Sequence, residues 1–272
     1  MNPEHLEANR RMWDERVSVH LESAFYDLPG FMAGTSHLRD FERSELGEVR
    51  GRSLLHLQCH FGLDTLSWAR EGAKVTGLDF SASAVTTARD IARDAQLEAT
   101  FVEGDVHDAA RILERTFDIV YTGFGAICWL PDIRRWAEVA WQMVEPGGIF
   151  YMSEFHPITD IFGEDDLTVA NHYFDRGMPF VDDRGATYTD GHANIQNTTD
   201  YTWTHPVSTV ITALLDQGFQ LELFREHDYT LFPRFPSLEH HPEDRTYRLP
   251  EHHPRLPLMY SIRMAKPSNA NS

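Results

Sequence analysis

The stretch LLHLQCHFGLDTLSWA, residues 54–69, has the pattern of a strand, a tight turn and a helix. In an α/β protein this is the usual place for a glycine-rich loop that binds a cofactor. Between Leu54 and Leu63, however, the chain has a single glycine, Gly62. The first question is therefore which ligand, if any, a turn of this composition accepts.

Strand-like and helix-like patterns alternate over residues 51–155, which is typical of βαβ units around a parallel sheet. After His156 the pattern changes to short, aromatic, alternating segments that indicate antiparallel hairpins over about 160–204. Hairpins of this size cannot bury a core of their own, so we expect them to lie on the sheet as a lid. The segment 234–257 is rich in proline and polar residues and is predicted as a loop.

The composition excludes several classes of partner. The 272 residues carry a formal net charge of −18, and their Lys and Arg are scattered, so nucleic acid is not an expected partner. No apolar run reaches the roughly 18 residues of a membrane-spanning helix, and the polar start is not a signal peptide. Two cysteines, Cys59 and Cys128, fit a reducing compartment. We expect a cytoplasmic protein that binds a small molecule and no membrane.

The 15 histidines raise the possibility of a metal site. The pairs His240–His241 and His252–His253 are the obvious candidates, but both lie in the predicted loop without a nearby cysteine. Adjacent residues on an extended chain also point to opposite sides. The sequence therefore predicts no metal site.

Ligands of an open parallel sheet bind at the carboxyl ends of its strands, near the point where the strand order reverses. Asp79 ends the second predicted strand and Asp105 follows the third. One carboxylate can accept hydrogen bonds from two ribose hydroxyls and the other from an exocyclic amine, whereas two carboxylates suit a pyrophosphate badly. The sequence at the first turn fits the dinucleotide motif G-x-G-x-x-G in neither register, which leaves a dinucleotide enzyme as the weaker alternative.

An ordered set of segments resembles the class I S-adenosylmethionine-dependent methyltransferases over residues 51–155, and more loosely to the C-terminus. After the turn with Gly62 come VTGLDFSASAVTTAR (75–89), VEGDV (102–106), FDIVYT (117–122) and VEPGG (144–148). The resemblance implies S-adenosylmethionine as the cofactor and a seven-stranded sheet whose last strand is antiparallel, and residues 263–267 look like that strand.

The predicted fold class is thus α/β, a Rossmann-like, doubly wound, seven-stranded and mainly parallel sheet with an antiparallel β insertion acting as a lid. We expect residues 1–50 to form an N-terminal helical cap and 51–159 the S-adenosylmethionine-binding core. Residues 160–204 would form the lid and 205–272 would complete the sheet.

The resemblance also implies roles for individual residues. Asp79 would bind the ribose hydroxyls, Phe80 would pack against the adenosine, and Asp105 with the backbone of Val106 would hold the adenine edge. The other members of the predicted cofactor site are Tyr26, His60, Gly62, Asp64, Thr65, Ser81, Gly104, Thr122 and Gly123.

Several of these serve the methionine part of the cofactor. Gly62 and the turn around His60 would pass close to it, and the carbonyl of Thr122 or Gly123 would face its ammonium group. Asp64 has an alternative role, since an acid in the first turn of a helix also complements the helix dipole. The chain departs from the family's usual pattern at three positions, with His56 in place of an acidic residue and Gln58 and His60 in place of glycines.

We expect direct in-line transfer of a methyl group to oxygen or nitrogen of a small molecule, within a largely apolar pocket. Glu154 ends the fifth predicted strand and His156 follows it, at the place where a general base would lie. For both residues the alternative role is a structural hydrogen bond at the exit of the strand. A non-catalytic S-adenosylmethionine-binding protein is the other alternative function. Aromatic residues predicted to wall the pocket are Trp13, Phe25, Tyr26, Trp129, Tyr173, Phe174, Tyr201 and Trp203.

Overall fold

A computed structural model of the chain describes residues 2–163, 167–184, 187–189 and 195–268. Its helices are α1 (Pro3–Glu22), α2 (Leu28–Met32), α3 (Asp40–Leu46), α4 (Leu63–Arg70), α5 (Ala82–Asp94), α6 (Ala109–Leu113), α7 (Ile133–Met143) and α8 (Val207–Asp216). Its strands are β1 (Ser53–Leu57), β2 (Lys74–Asp79), β3 (Ala99–Glu103), β4 (Phe117–Thr122), β5 (Val144–Phe155), β6 (Phe180–Asp182), β7 (Asp200–Thr202), β8 (Gln220–His227), β9 (Tyr229–Thr230), β10 (Glu239–His241), β11 (Thr246–Arg248) and β12 (Met259–Ala265).

Seven strands form the main sheet in the order β3-β2-β1-β4-β5-β12-β8. Strands β1 to β5 pair in parallel, and β12 runs antiparallel to both of its neighbours. The strand order reverses between β1 and β4, so the carboxyl ends of these strands border a crevice. The predicted seven-stranded, mainly parallel sheet with an antiparallel last strand is confirmed.

Helices cover both faces of this sheet, and the alternation of side chains along β1 explains how. Leu55 belongs to the apolar cluster that also contains buried residues of α7 and α8, such as Trp136 and Leu214. Leu54 belongs to another cluster, which includes Trp68 of α4. Because successive side chains of a strand point to opposite faces, a strand buried on both faces is apolar nearly throughout.

The lid is attached to the N-terminal helix α1 by a series of hydrogen bonds. Glu15 of α1 accepts from the backbone and side-chain amides of Asn197, at 2.9 and 2.5 Å. Asn9 exchanges two hydrogen bonds of 2.8 Å with the backbone of Tyr201. These contacts place the cap and the lid side by side above the sheet.

The lid contains less strand than its sequence predicts. Within the described residues it has the antiparallel pair β6–β7 and one isolated bridge between Phe162 and Val169. One of the alternating segments predicted to form the hairpins, GATYT at 185–189, begins outside the described residues, and Thr187 to Thr189 are not a strand. Outside the β6–β7 pair, Thr187, Gln196 and Asn197 bond to residues of α1, a tertiary preference that alternation in the sequence does not reveal.

The prediction of a loop at 234–257 is wrong. This segment contains β10 and β11, which form a three-stranded antiparallel sheet with β9. Phe235, Leu238, Leu249 and Leu258 form an apolar cluster beneath it, and this burial outweighs the proline-rich composition. His240 pairs with Tyr247 in β11.

Among the described residues, no group of three or more His, Cys, Asp or Glu side chains is arranged to hold a metal ion. Within the same residues, every helix is too short or too polar to cross a membrane.

Candidate functional site

The turn between β1 and α4 adopts a left-handed backbone at Gln58, His60 and Gly62, with φ angles of 59°, 50° and 80°. Residues other than glycine are uncommon in this region of φ. At Gly62 a side chain is impossible without movement, because a Cβ atom would lie 2.6 Å from the ring of Phe101. Gln58 and His60, which stand where the family has glycine, thus adopt the backbone conformation that is typical of glycine.

Side-chain and backbone hydrogen bonds hold this turn in place. The amide nitrogen of the Gln58 side chain donates to the carbonyl of Ala126 at 2.8 Å. The backbone N–H of His60 donates to Oδ2 of Asp79 at 2.7 Å. The turn is therefore tied both to the loop after β4 and to the end of β2.

A cavity of about 910 Å³ opens at the carboxyl ends of the strands, beneath α1 and the lid. This volume lies near the upper end of the range of roughly 300–1,000 Å³ that is usual for ligand sites. The predicted site residues on its wall are Tyr26, His60, Gly62, Asp64, Asp79, Phe80, Gly104, Asp105, Val106 and Gly123.

Three other predicted members of the cofactor site lie behind the wall. Ser81 caps α5 by accepting from the N–H of Ala84 at 3.0 Å. Thr65 forms a hydrogen bond of 2.8 Å with Nδ1 of His56 through its hydroxyl. Thr122 is fully buried, and its hydroxyl has no partner among the described residues. Their side chains support the turn and strand ends and do not line the cavity.

Two carboxylates mark one half of the cavity. Asp79 accepts from the backbone N–H groups of Ser81 and His60, and burial raises its pKa to about 6. Burial alone would raise the pKa of Asp105. Hydrogen bonds from the ring and the backbone of His107, at 2.9 and 2.8 Å, outweigh burial and lower this pKa below its ordinary value. Each carboxylate is held in a fixed orientation by backbone donors, as a binding group must be.

Charged groups meet at the other end of the turn. Oδ1 of Asp64 lies 3.7 Å from Nδ1 of His37, and a Cβ atom on Gly123 would lie 3.5 Å from Oδ2 of Asp64. Arg39 also lines the cavity, and its Nη1 is buried without a partner among the described residues. Arg39 and His37 are absent from the predicted site, because they precede α3 and no sequence spacing connects them with the turn.

Glu154 and His156, the predicted general bases, do not line the cavity. Glu154 is buried and accepts from the backbone N–H groups of Gly125, Ala126 and Ile127, and burial raises its pKa to about 7.

His156 has both ring nitrogens engaged. Its Nδ1 accepts from the N–H of Ile158 at 3.1 Å, and its Nε2 lies 3.2 Å from Glu226. These are the hydrogen bonds of the structural alternative for both residues, and the geometry does not support a role in proton transfer.

Aromatic side chains form the remaining wall, between the turn, the cap and the lid. Trp13 of α1 makes an edge contact with Trp129, with ring centroids 5.2 Å apart. Tyr26 contacts Phe61 at 4.7 Å and shares a hydrogen bond with the hydroxyl of Tyr188 in the lid. Of the predicted aromatic residues, those on the wall are Trp13, Phe25, Tyr26, Trp129, Phe174 and Trp203, whereas Tyr173 and Tyr201 lie elsewhere.

Residues 54–148 match a family model described as a methyltransferase domain. A ubiquinone biosynthesis O-methyltransferase of Cronobacter sakazakii is 34% identical over 107 residues, which are 39% of this chain and 44% of that protein. A protein of the same name from Escherichia coli SMS-3-5 is 26% identical over 159 residues, 56% of this chain and 66% of that protein. The chain thus spans less than half the length of the first of these relatives.

Solved structures share the fold over most of the chain. An S-adenosylmethionine-dependent methyltransferase from Mesorhizobium loti matches 86% of this chain and 99% of its own, with a TM-score of 0.58 and 20% identity. The structure of DhpI with S-adenosylhomocysteine matches 99% and 100%, with a TM-score of 0.57 and 17% identity. The glycopeptide N-methyltransferase MtfA, in complex with sinefungin, matches 86% and 98%, with a TM-score of 0.52 and 19% identity.

Proposed function

We propose that the chain is an S-adenosylmethionine-dependent methyltransferase that acts on oxygen or nitrogen of a small molecule, and the match of residues 54–148 to a family model described as a methyltransferase domain supports this. The observation that carries the proposal is the convergence of Asp79, Asp105 and the left-handed turn on one cavity at the strand ends. The relatives named as O-methyltransferases, and MtfA, named as an N-methyltransferase, support a small acceptor. The free cysteines Cys59 and Cys128 fit a cytoplasmic location.

The adenosine part of the cofactor suits the half of the cavity that contains the two carboxylates. Asp79 would accept from both ribose hydroxyls, and Phe80 would pack against the adenosine. Asp105 would accept from the exocyclic amine of adenine, with the backbone of Val106 beside it.

The methionine part suits the charged end of the turn. Arg39 has a buried Nη1 without a partner, and Gln58 has a buried Oε1 without one, among the described residues. Buried polar groups normally have partners, so these two are available to a ligand with a carboxylate and an ammonium group. Asp64 and the carbonyl of Gly123 would face the ammonium, and Arg39 the carboxylate.

S-adenosylmethionine would supply a methyl group on a positively charged sulfur. The chain itself would align the acceptor and exclude water with its aromatic wall. Burial lowers the pKa values of His37, His56 and His60, so these rings are neutral near pH 7 and do not repel a sulfonium. The side chain of His60 also stands where a dinucleotide motif has glycine for close approach of a pyrophosphate, which disfavours the oxidoreductase alternative.

Calorimetry and a transfer assay test this proposal. We expect saturable binding of S-adenosylhomocysteine with one site per chain, and transfer of labelled methyl groups to at least one member of a panel of small phenols and amines. Absence of binding by either form of the cofactor would contradict the proposal, and binding of NADH alone would favour the oxidoreductase. Cofactor binding without transfer to any acceptor would favour the non-catalytic alternative.

Substitution of Arg39 by methionine separates the two ends of the cofactor site. We expect affinity for S-adenosylhomocysteine to fall about 10- to 100-fold, the usual loss for a hydrogen bond between charged groups. Affinity for 5′-methylthioadenosine, which lacks the amino acid, should not change. Arg43→Met is the matched control, because Arg43 pairs with exposed Asp40 outside the cavity wall. Equal losses for both ligands would argue against this role of Arg39.

A further inference from the structure

We propose that His60 accepts the proton that the acceptor loses during methyl transfer, and that His20 is a positioning residue that fixes the tautomer of His60. This inference rests on the proposed function. It assigns the task that His156 and Glu154 do not fulfil, since neither lines the cavity.

A chain of hydrogen bonds runs from the cavity wall into the lid. Nε2 of His60 lies 3.1 Å from Nδ1 of His20, and Nε2 of His20 lies 2.7 Å from the hydroxyl oxygen of Thr187. His20 is buried behind the wall, whereas His60 and Thr187 both line the cavity. His60 therefore belongs to the core, His20 to the cap and Thr187 to the lid.

Two arrangements of protons satisfy this chain. In one, His60 donates through Nε2–H to Nδ1 of His20, which in turn donates through Nε2–H to Thr187, leaving a lone pair on Nδ1 of His60. In the other, every donor is reversed and Nδ1 of His60 carries a proton. A positively charged sulfonium in the cavity favours the first, because a lone pair attracts positive charge and an N–H repels it.

The free nitrogen of His60 can be reached from the cavity. Nδ1 has no hydrogen-bond partner among the described residues, and His60 lines the cavity. The ring contacts Trp13 and Tyr26 of the aromatic wall, at centroid distances of 5.1 and 5.7 Å. His60 thus lies where the turn meets the aromatic wall of the cavity.

The other histidines near the turn lie close to Asp64, and each has a bonded ring nitrogen. Nε2 of His37 contacts the carbonyl of Tyr26 at 2.6 Å, and its Nδ1 faces Asp64. Nδ1 of His56 is bonded to Thr65, and a Cβ atom on Gly123 would lie 3.4 Å from its Nε2 and 3.5 Å from Oδ2 of Asp64.

The surroundings keep His60 neutral. Burial and the neighbouring His20 lower the pKa of His60 well below its ordinary value. Burial and Arg16 of α1 lower the pKa of His20 to about 3. The other titratable groups close to this pair are Asp79, which accepts from the His60 backbone, and the tyrosines Tyr26 and Tyr188. A weak base suffices, because the acceptor proton becomes strongly acidic as the new bond forms.

In the step, oxygen or nitrogen of the acceptor bonds to the methyl carbon while the carbon–sulfur bond breaks and its electron pair stays on sulfur. The acceptor proton passes to Nδ1 of His60, and the resulting imidazolium is stabilised by donation from Nε2–H to His20. The proton then leaves to solvent, so charge balances: one positive sulfonium is replaced by one proton.

Nitrogen NMR of the complex with S-adenosylmethionine, whose sulfonium carries the positive charge, tests the tautomer without any acceptor. In histidine-labelled protein at pH 7 we expect His60 to be neutral, with its proton on Nε2. The substitution His20→Asn should shift the His60 population toward the other tautomer, while calorimetry shows the cofactor still bound. A proton on Nδ1 of His60 in the unsubstituted complex would overturn the inference.

Turnover of a matched pair of probes, phenol and thiophenol, supplies the second test. Asparagine tolerates the left-handed backbone of this position, so His60→Asn preserves the turn. We expect methylation of phenol to slow about 100-fold, the usual contribution of a general base, and methylation of thiophenol, already ionised, to change little. Equal losses for both probes, with cofactor affinity retained, would overturn the inference. His240→Asn, on exposed β10, is the control. Loss of cofactor binding by the unsubstituted protein would instead refute the proposed function.

Discussion

Replacement of Asp79 by asparagine is expected to weaken the binding of S-adenosylhomocysteine by about 100-fold, because two hydroxyl donors lose their charged acceptor. Asparagine keeps the shape of the side chain and one of its oxygens. The buried carboxylate also accepts from the N–H groups of His60 and Ser81, so part of the loss will come from the turn. Calorimetry measures the affinity, and the melting temperature separates this effect from loss of the fold.

The pH dependence of binding is a further check on Asp79. Burial raises the pKa of its carboxyl to about 6, and the ionised form is the better acceptor for ribose hydroxyls. Affinity should therefore be constant above pH 6 and fall by up to about tenfold per pH unit below it, a slope that Asp79→Asn removes. Glu103→Gln, at the exposed end of β3, should leave both affinity and slope unchanged. A normal affinity of Asp79→Asn would refute the role of Asp79.

Replacement of Glu154 by alanine is expected to lower the free energy of unfolding by about 3 kcal/mol, because it leaves buried N–H groups without an acceptor. Those groups belong to Gly125, Ala126 and Ile127 in the loop after β4. Gly125 and Ala126 also line the cavity, so affinity for the cofactor should fall as well. Chemical denaturation measures the stability.

The control for Glu154 is Glu226→Ala, which removes the half-exposed partner of His156 and should cost less than about 1 kcal/mol. If Glu154→Ala kept its stability but abolished methyl transfer, the residue would have a chemical role and the structural assignment would be wrong.

Local signals in the sequence account for the core of the fold. Helix α5 begins after Ser81, whose side chain caps it, and its apolar spacing places Val85 and Ala88 in the core. The strand ends at Asp79 and Asp105 were predictable for the same reason, since each is fixed by residues within a few positions along the chain.

The rest depends on contacts between distant segments. The sequence predicts Glu154 at the end of the fifth strand and His156 just after it, but β5 continues to Phe155 and His156 caps a short helical turn at 157–161. Arg39 reaches the cavity, and His20 reaches His60, only through the packing of the cap, and β10 with β11 forms only because an apolar cluster lies beneath them. No period or spacing within one segment encodes these placements.

The left-handed turn has a consequence for the entropy of binding. A turn built from glycines is free to move when its ligand leaves, and binding must order it again. Here the bonds that hold the turn join protein groups alone, Gln58 to Ala126 and the backbone of His60 to Asp79. The turn therefore loses much of its conformational entropy when the protein folds, so that binding of a ligand restricts the backbone less.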